Sequence, residues 1–344
     1  MPDTDIAIIG AGAAGLSVAA IAASLGFRTT LIERGAMGGD CLNTGCVPSK
    51  ALLAVAHLAA EARRAPRYGV VVPPPEIDWA LVQAHVRSAI AKIAPHDSEE
   101  RFRAMGVEVL RATGRFTGRD SLDVGGRRLV FRRAVIAAGS HAVLPPIPGL
   151  GLVPFLTHET IFDLLTCPQH LLVLGGGPIG LEMALAHRRL GARVTLVEQA
   201  QIASREDPEC VDVLRAALAA EGVELREGLG VAELAPAPGG LLARLTMAPL
   251  SRPAICWWRR AVRRGLMGWG WKRPGLWVRR AGLQQIGRCE RGAIGASGWR
   301  GILLTLKGLA RVPLPMWRLS MPGSSPGPCC FACLQSWITR RCRA

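Results

Sequence analysis

Ile6-Ala7-Ile8-Ile9 is an unbroken apolar run without the alternation of a half-exposed strand, so Asp5–Gly10 is predicted as a parallel strand covered on both faces. A helix is expected over Leu16–Leu25 and a second apolar strand over Thr29–Ile32. The same order returns later, with a strand at Leu171–Leu174, a helix running to Leu190 and a strand at Arg193–Val197. Between these repeats, Trp79–Ile93 and Ser98–Met105 read as helices broken at Pro95. Short segments over Arg115–Phe131, punctuated by Gly114, Gly118 and Gly125-Gly126, read as an antiparallel meander covering the first sheet. Ala134–Gly139 is a further buried strand, and Pro145-Pro146-Ile147-Pro148-Gly149 marks a linker and a domain boundary.

Glycines sit where each first strand turns into its helix. Gly10, Gly12 and Gly15 follow the first strand, and Glu33 ends the next one. Gly175, Gly177 and Gly180 follow the second unit's first strand, with Glu198 in the matching place. Strand, glycine turn, helix, strand and acid together form the dinucleotide fingerprint. Its glycines let backbone N–H groups approach a pyrophosphate at a positive helix end, and its acid accepts a ribose hydroxyl. The fold class expected is α/β, with two Rossmann-like dinucleotide-binding domains at 1–149 and 150–247. Glu198 would accept a 2′-hydroxyl and repel a 2′-phosphate, which favours NAD and leaves NADP as the second choice.

The overall net charge of +16 would point to nucleic acid or an anionic membrane, but the charge is segregated. Residues 1–247 hold 24 Lys+Arg against 25 Asp+Glu, and residues 248–344 hold 18 against 1. Eight of the nine Trp and six of the ten Cys also follow Met247, whereas all seven His precede it. The tail shows no sustained period, so it is expected to lack a reliable fold and to bind neither nucleic acid nor membrane. A basic binding protein acting through the Trp/Arg tail is the competing class. No apolar run reaches the roughly 20 residues of a membrane span, and the first strand begins too early for a leader, so a cytoplasmic protein is expected. The run Arg127-Arg128 and Arg132-Arg133 reads as a solvated strand face.

Candidate redox chemistry lies in Gly38-Gly39-Asp40-Cys41-Leu42-Asn43-Thr44-Gly45-Cys46-Val47-Pro48-Ser49-Lys50. A disulfide needs Cα atoms roughly 4.4–6.8 Å apart, whereas positions i and i+5 of an ideal helix lie farther apart, so the backbone between the cysteines must break. Gly45 permits the break, and Pro48 suits the first turn of a helix starting near Cys46 and running through Ala51–Ala62. That helix end and Lys50 one turn on both favour a thiolate at Cys46. The Cys-x4-Cys spacing is not a zinc pattern, and no metal ligands are assigned.

These residues resemble the redox signature of the class I pyridine nucleotide-disulfide oxidoreductases, among them dihydrolipoamide dehydrogenases and mercuric reductases. The resemblance spans about residues 4–247 and implies FAD at the first fingerprint and NAD(P) at the second. It implies Cys46 as the thiolate against the flavin, Cys41 as the interchange thiol, and Lys50 near the flavin paired with Glu182. Gly114 and Gly139 would join the flavin site, with Ala138 standing where the family's Ala-Thr-Gly has threonine. The implied acceptor is a small dithiol or disulfide, or a metal ion. His57 and His85 match no motif and are expected on helix faces.

After 247 the resemblance stops. The family's dimerisation domain, with its His–Glu base pair, has no counterpart, so the homodimer is an expectation for the family and this chain is expected to be impaired in turnover. Codons offer a reading. Ile255-Cys256-Trp257-Trp258-Arg259 shifted by one nucleotide gives Leu or Met followed by Leu-Val-Ala, like the family's next strand, and the shifted Met267–Lys272 gives a Gly-Leu-Gly-Leu-Glu-like string. The tail is therefore expected to be out of frame.

Overall fold

The computed structural model describes residues 1–246 and, beyond them, the backbone of four short strands. The remainder of 247–344, including most of the Trp/Arg tail, lies outside the described residues.

The first part of the chain runs β1 (Thr4–Ile9), α1 (Ala13–Ser24), β2 (Thr29–Ile32), α2 (Gly39–Asn43), α3 (Cys46–Arg64), α4 (Trp79–Ile93), α5 (Glu99–Ala104), β3 (Glu108–Leu110), β4 (Gly114–Phe116), β5 (Ser121–Val124) and β6 (Arg127–Ile136). These strands form one six-stranded sheet in the order β3-β2-β1-β6-β5-β4. β1 lies parallel between β2 and β6, with Ile8 opposite Leu31 on one side and Val135 on the other. All three are apolar, and Ile8 and Leu31 are fully buried, as expected of strands covered on both faces.

Two expectations are corrected here. The Arg115–Phe131 segments do not cover the sheet but extend it sideways. Of the expected separate buried strand Ala134–Gly139, only Ala134–Ile136 are strand: they are the half-buried end of β6, which begins at Arg127, and Ala137–Gly139 lie beyond it. One long strand serves both roles because its Arg127–Val130 part pairs antiparallel with β5 while its Phe131–Ile136 part pairs parallel with β1. Two of the arginines in this strand are paired, Arg127 with Glu108 at 2.6 Å and Arg132 with Asp5 at 3.5 Å.

The second part runs β7 (Ser140–Ala142), β8 (Phe155–Leu156), β9 (His170–Leu174), α6 (Pro178–Arg189), β10 (Arg193–Glu198), α7 (Pro208–Ala220), β11 (Glu224–Glu227) and a hairpin of β12 (Val231–Ala237) with β13 (Gly240–Leu245). Past the described side chains come β14 (Ile255–Trp258), β15 (Val262–Arg264), β16 (Leu276–Arg279) and β17 (Gly282–Gln285). The second sheet is parallel, ordered β11-β10-β9-β14-β8. β15 pairs antiparallel with β7. Residues 1–273 form one compact unit, and β16 with β17 makes a hairpin in the unit that follows.

An apolar core continues from α3 and α4 into α6, β9, β10 and α7. The inward face of α3 is largely small, with Leu52, Ala56, Ala59 and Ala60 buried, which lets neighbouring helices approach closely. Trp79 opens α4 in this core and its indole N–H donates to the Leu164 carbonyl at 2.8 Å, so the buried ring keeps its polar group satisfied. α3 and α6 thereby bring the two glycine fingerprints into one body.

Candidate functional site

The first glycine turn is set by close approach. A Cβ on Gly15 would stand 1.8 Å from the Gly10 carbonyl oxygen, and one on Gly10, at φ +104°, would stand 2.3 Å from that of Ala137. α1 therefore packs directly onto the end of β1. Gly12 differs, because a Cβ there would meet only the Gly39 Cα, at 3.8 Å. Gly12 caps α1 without any side-chain hydrogen bond, leaving the first amides of the helix to be satisfied from outside.

Glu33 borders this opening. Its two carboxylate oxygens accept from the Ala11 and Gly35 amides, each at 2.6 Å, which fixes the group while leaving lone pairs for a ribose hydroxyl. Gly10, Glu33, Arg34, Gly114 and Ala138 line the adjoining cleft, and Gly139 follows at φ +68°. An open cradle, unprotected helix amides and a fixed acid fit the adenosine pyrophosphate half of a dinucleotide.

The second turn repeats this construction at a constant offset of 165 residues. Gly175 is left-handed at φ +111°, Gly177 caps α6 ahead of Pro178, and nothing lies within 4 Å of a Cβ placed on Gly177. Gly180 is buried in α6. Glu198 accepts from Gly176 at 2.8 Å and Ala200 at 3.0 Å, as Glu33 does from Ala11 and Gly35. These residues fit a second dinucleotide.

The repeat also reveals residues that motif reading missed. The Gly38 amide donates to the Ala11 carbonyl at 2.9 Å, and its counterpart Ala203 donates to Gly176 at 2.8 Å. Ala203 is left-handed at φ +45°, alone among the described non-glycine residues, and Ile202 presses on Gly176 so closely that a Cβ there would meet it at 2.6 Å. Each turn is thus closed by the segment following its acid. Aligning the two halves of the sequence at the 165-residue offset would have exposed this.

In the first unit that segment leads straight into the cysteines. Cys41 sits in α2 and Cys46 opens α3, both half-buried, with Thr44 and Gly45 between the helices. A Cβ on Gly45 would stand 2.7 Å from the Asp40 carbonyl oxygen and 3.5 Å from the Cys41 Cα, so the turn folds tightly back on α2. The Asn43 amide nitrogen donates to the Met37 and Gly39 carbonyls at 2.9 Å each, pinning α2 in place. The Thr44 hydroxyl is buried without a hydrogen-bond partner.

Lys50 Nζ lies 2.8 Å from both carboxylate oxygens of Glu182. Lys50 is in the first turns of the cysteine helix and Glu182 in those of the second nucleotide helix, so one ion pair ties the two starts together. The two histidines without a motif, His57 and His85, lie on exposed helix faces, His57 beside Glu61 at 3.9 Å and His85 on α4. Burial pushes the Cys167 thiol up to about 11 and the His187 imidazole down to about 4, leaving both uncharged near neutral pH. Among the described residues, no group of three or more His, Cys, Asp or Glu is placed to hold a metal ion, and no helix is long and apolar enough to cross a membrane.

Residues 4–248 match the Pyridine nucleotide-disulphide oxidoreductase family, and the chain belongs to it. FAD and NAD(P)H are that family's cofactors. The chain is 36% identical over 237 residues to a mercuric reductase of Shigella flexneri, covering 67% of this chain and 42% of that protein. It is 34% identical over 274 residues to a mercuric reductase of Streptomyces lividans, covering 76% and 58%. The chain thus spans about half the length of these curated relatives. Among solved structures, the Cu(II) complex of the HOCl-induced flavoprotein disulfide reductase RclA from Escherichia coli aligns with a TM-score of 0.69 at 25% identity, over 80% of this chain and 60% of that one.

Proposed function

We propose that the protein is an FAD-dependent oxidoreductase that carries electrons from a nicotinamide through flavin to the Cys41–Cys46 pair and on to an acceptor. The observation that carries this reading is the Lys50–Glu182 pair, which joins the cysteine helix to the second nucleotide helix at their starts. The nicotinamide and the flavin supply the hydride chemistry when bound. The chain's part is to hold the sulfurs. In balance, NADH and the disulfide give NAD⁺, one thiol and one thiolate.

Cys46 is assigned the thiolate, a role supported by its position at the positive end of α3. Cys41, one helix earlier, is assigned the exchange with substrate. Glu198, held by two amides and still able to accept a hydroxyl proton, supports NADH over NADPH. The acceptor is a dithiol or disulfide, or a soft metal ion bound as substrate by the paired sulfurs. The names of the relatives, mercuric reductase and flavoprotein disulfide reductase, are compatible with either.

Anaerobic titration of the FAD-loaded chain with NADH tests this. The flavin and the disulfide together should take up about four electrons per chain, falling to about two in Cys46→Ser, since each redox couple holds one pair. A long-wavelength thiolate-to-flavin absorbance should accompany reduction and vanish in Cys46→Ser. Uptake of two electrons by both proteins would overturn the cysteine role. Loss of the band in Cys41→Ser with retention in Cys46→Ser would reverse the two assignments.

A further inference from the structure

α3 and α6 are tied at a second place, far from Lys50 and Glu182. Near the end of α3, Arg63 Nη1 donates to the Arg189 carbonyl at 2.6 Å, and Arg64 Nη2 donates to Glu221 Oε1 at 3.2 Å. Arg189, the last residue of α6, donates from Nη2 to the same Glu221 oxygen at 2.6 Å. Arg188 Nε donates to the Glu221 main-chain carbonyl at 3.0 Å. Glu221 is the C-cap of α7, so three helices meet on one residue.

Two facts separate this cluster from ordinary surface pairs, which contribute little. The Arg189 side chain is 6% exposed and its Nε is buried without a partner. Burial raises the Glu221 carboxyl, and Arg189, Arg64 and Arg63 outweigh it, holding the group below its ordinary range. Desolvating a guanidinium is costly, and apolar packing usually stabilises as well or better. What an ion pair adds is direction.

We propose that Glu221 is a positioning residue. By holding Arg64 of α3 and Arg189 of α6 on one carboxylate, it fixes the angle at which the cysteine helix crosses the nucleotide helix. The place of Cys46 and Lys50 then follows. The inference rests on the redox reading of those two residues given above. Lys50 lies 14 positions before Arg64, about 21 Å along the helix at roughly 1.5 Å per residue. Over that lever a rotation of about 3° displaces Lys50 by about 1 Å, and a displacement of that size can cost about 10²-fold in a positioned reaction.

The test uses the full 344-residue chain, reduced with a dithiol and desalted, without added cofactor, and reads iodoacetamide alkylation of Cys46 at pH 7, peptide by peptide, with glutathione in the same reaction as reference. Arg63→Ala/Arg64→Ala cuts the α3 limb while leaving the Arg189–Glu221 pair intact, so no charge is buried alone. The Cys46 rate should shift by about three- to tenfold in that variant and in Glu221→Gln, because moving Lys50 relative to Glu182 alters the charge beside the thiol and thiolate content sets the rate, and Glu221→Asp should return it most of the way. Leu218→Ala, in the buried face of α7, should destabilise the chain without altering the Cys46 rate relative to glutathione. An unchanged Cys46 rate in the double-arginine variant, or an equal shift in Leu218→Ala, would overturn the proposal. If Glu221→Gln does not fold, the double-arginine variant decides alone. A chain that takes up no electrons from NADH would count against the proposed function, and the alkylation result would still stand.

Discussion

Gly12 and Gly15 stand three residues apart in one fingerprint but have different physical duties. Alanine at Gly15 would put a methyl group 1.8 Å from the Gly10 oxygen, which the backbone cannot relieve without separating α1 from β1. Alanine at Gly12 would meet only Gly39 Cα at 3.8 Å and would instead enter the opening proposed to take a pyrophosphate. Gly15→Ala should lower unfolding stability by about 3 kcal/mol or more, as overpacking does at its upper range. Gly12→Ala should keep the melting temperature within a few degrees and lose FAD binding by at least about tenfold, or 1.4 kcal/mol. Melting curves and FAD titration of the two variants decide the matter, and equal loss of stability in both would contradict the division of labour. At this scale the sequence was informative because a glycine fingerprint is a list of contacts that forbid side chains. Ala203 escaped notice for the opposite reason, since nothing in an alanine announces a positive φ.

Elements were legible wherever a single period or a single break governed them. Helix α3 starts at Cys46 as Pro48 and Gly45 require, and α4 occupies Trp79–Ile93 as its apolar stripe requires. The expectation failed at β6, where strand pairing on both edges, and not local pattern, decides where one strand ends. Pairing partners far along the chain leave no mark on a short window. The contact of α6 with α4 was equally invisible, because His187 reads in sequence like any polar helix residue. In the structure it is fully buried, its Nδ1–H donates to the Met183 carbonyl at 2.9 Å, and its ring lies 5.8 Å from that of Trp79.

Burial, opposed by the bond to Met183, lowers the imidazole to about 4 from an ordinary 6.5. The unfolded chain therefore takes up this proton first as pH falls. Stability is full above about pH 6.5 and declines by roughly 3 kcal/mol on the way to pH 4, at about 1.36 kcal/mol per unit. In His187→Leu that part of the acid dependence should disappear. Urea unfolding of both proteins at pH 7 and pH 4.5 checks it, and an identical loss in the two would place the sensitivity elsewhere.

For the whole molecule, the composition of the chain changes after residue 247. The strand β14 lies between β9 and β8, with Ile255 opposite Leu171 and Trp258 opposite Leu174. Leu171, Leu172, Val173 and Leu174 are all buried, so a strand beside them belongs to the class that reads as a continuous run of Val, Ile, Leu or Ala. Ile-Cys-Trp-Trp does not fit that class, whereas the one-nucleotide shift gives Leu or Met followed by Leu-Val-Ala. We propose on this ground that the tail is read out of frame, and that the slot beside β9 is where the restored strand belongs. A restored-frame protein should then pack the slot with residues of the expected size and melt well above the 344-residue chain. It should also keep a larger share of its FAD through gel filtration than the 344-residue chain does. Toward NADH and a dithiol the restored protein should turn over faster by about 10²–10⁴-fold, the usual contribution of a general base, because no histidine follows His187 in the chain as it stands. Equal FAD retention, equal melting temperature and equal turnover in the two proteins would refute the reading, and would leave Ile255–Trp258 as the natural occupant of its place in the sheet.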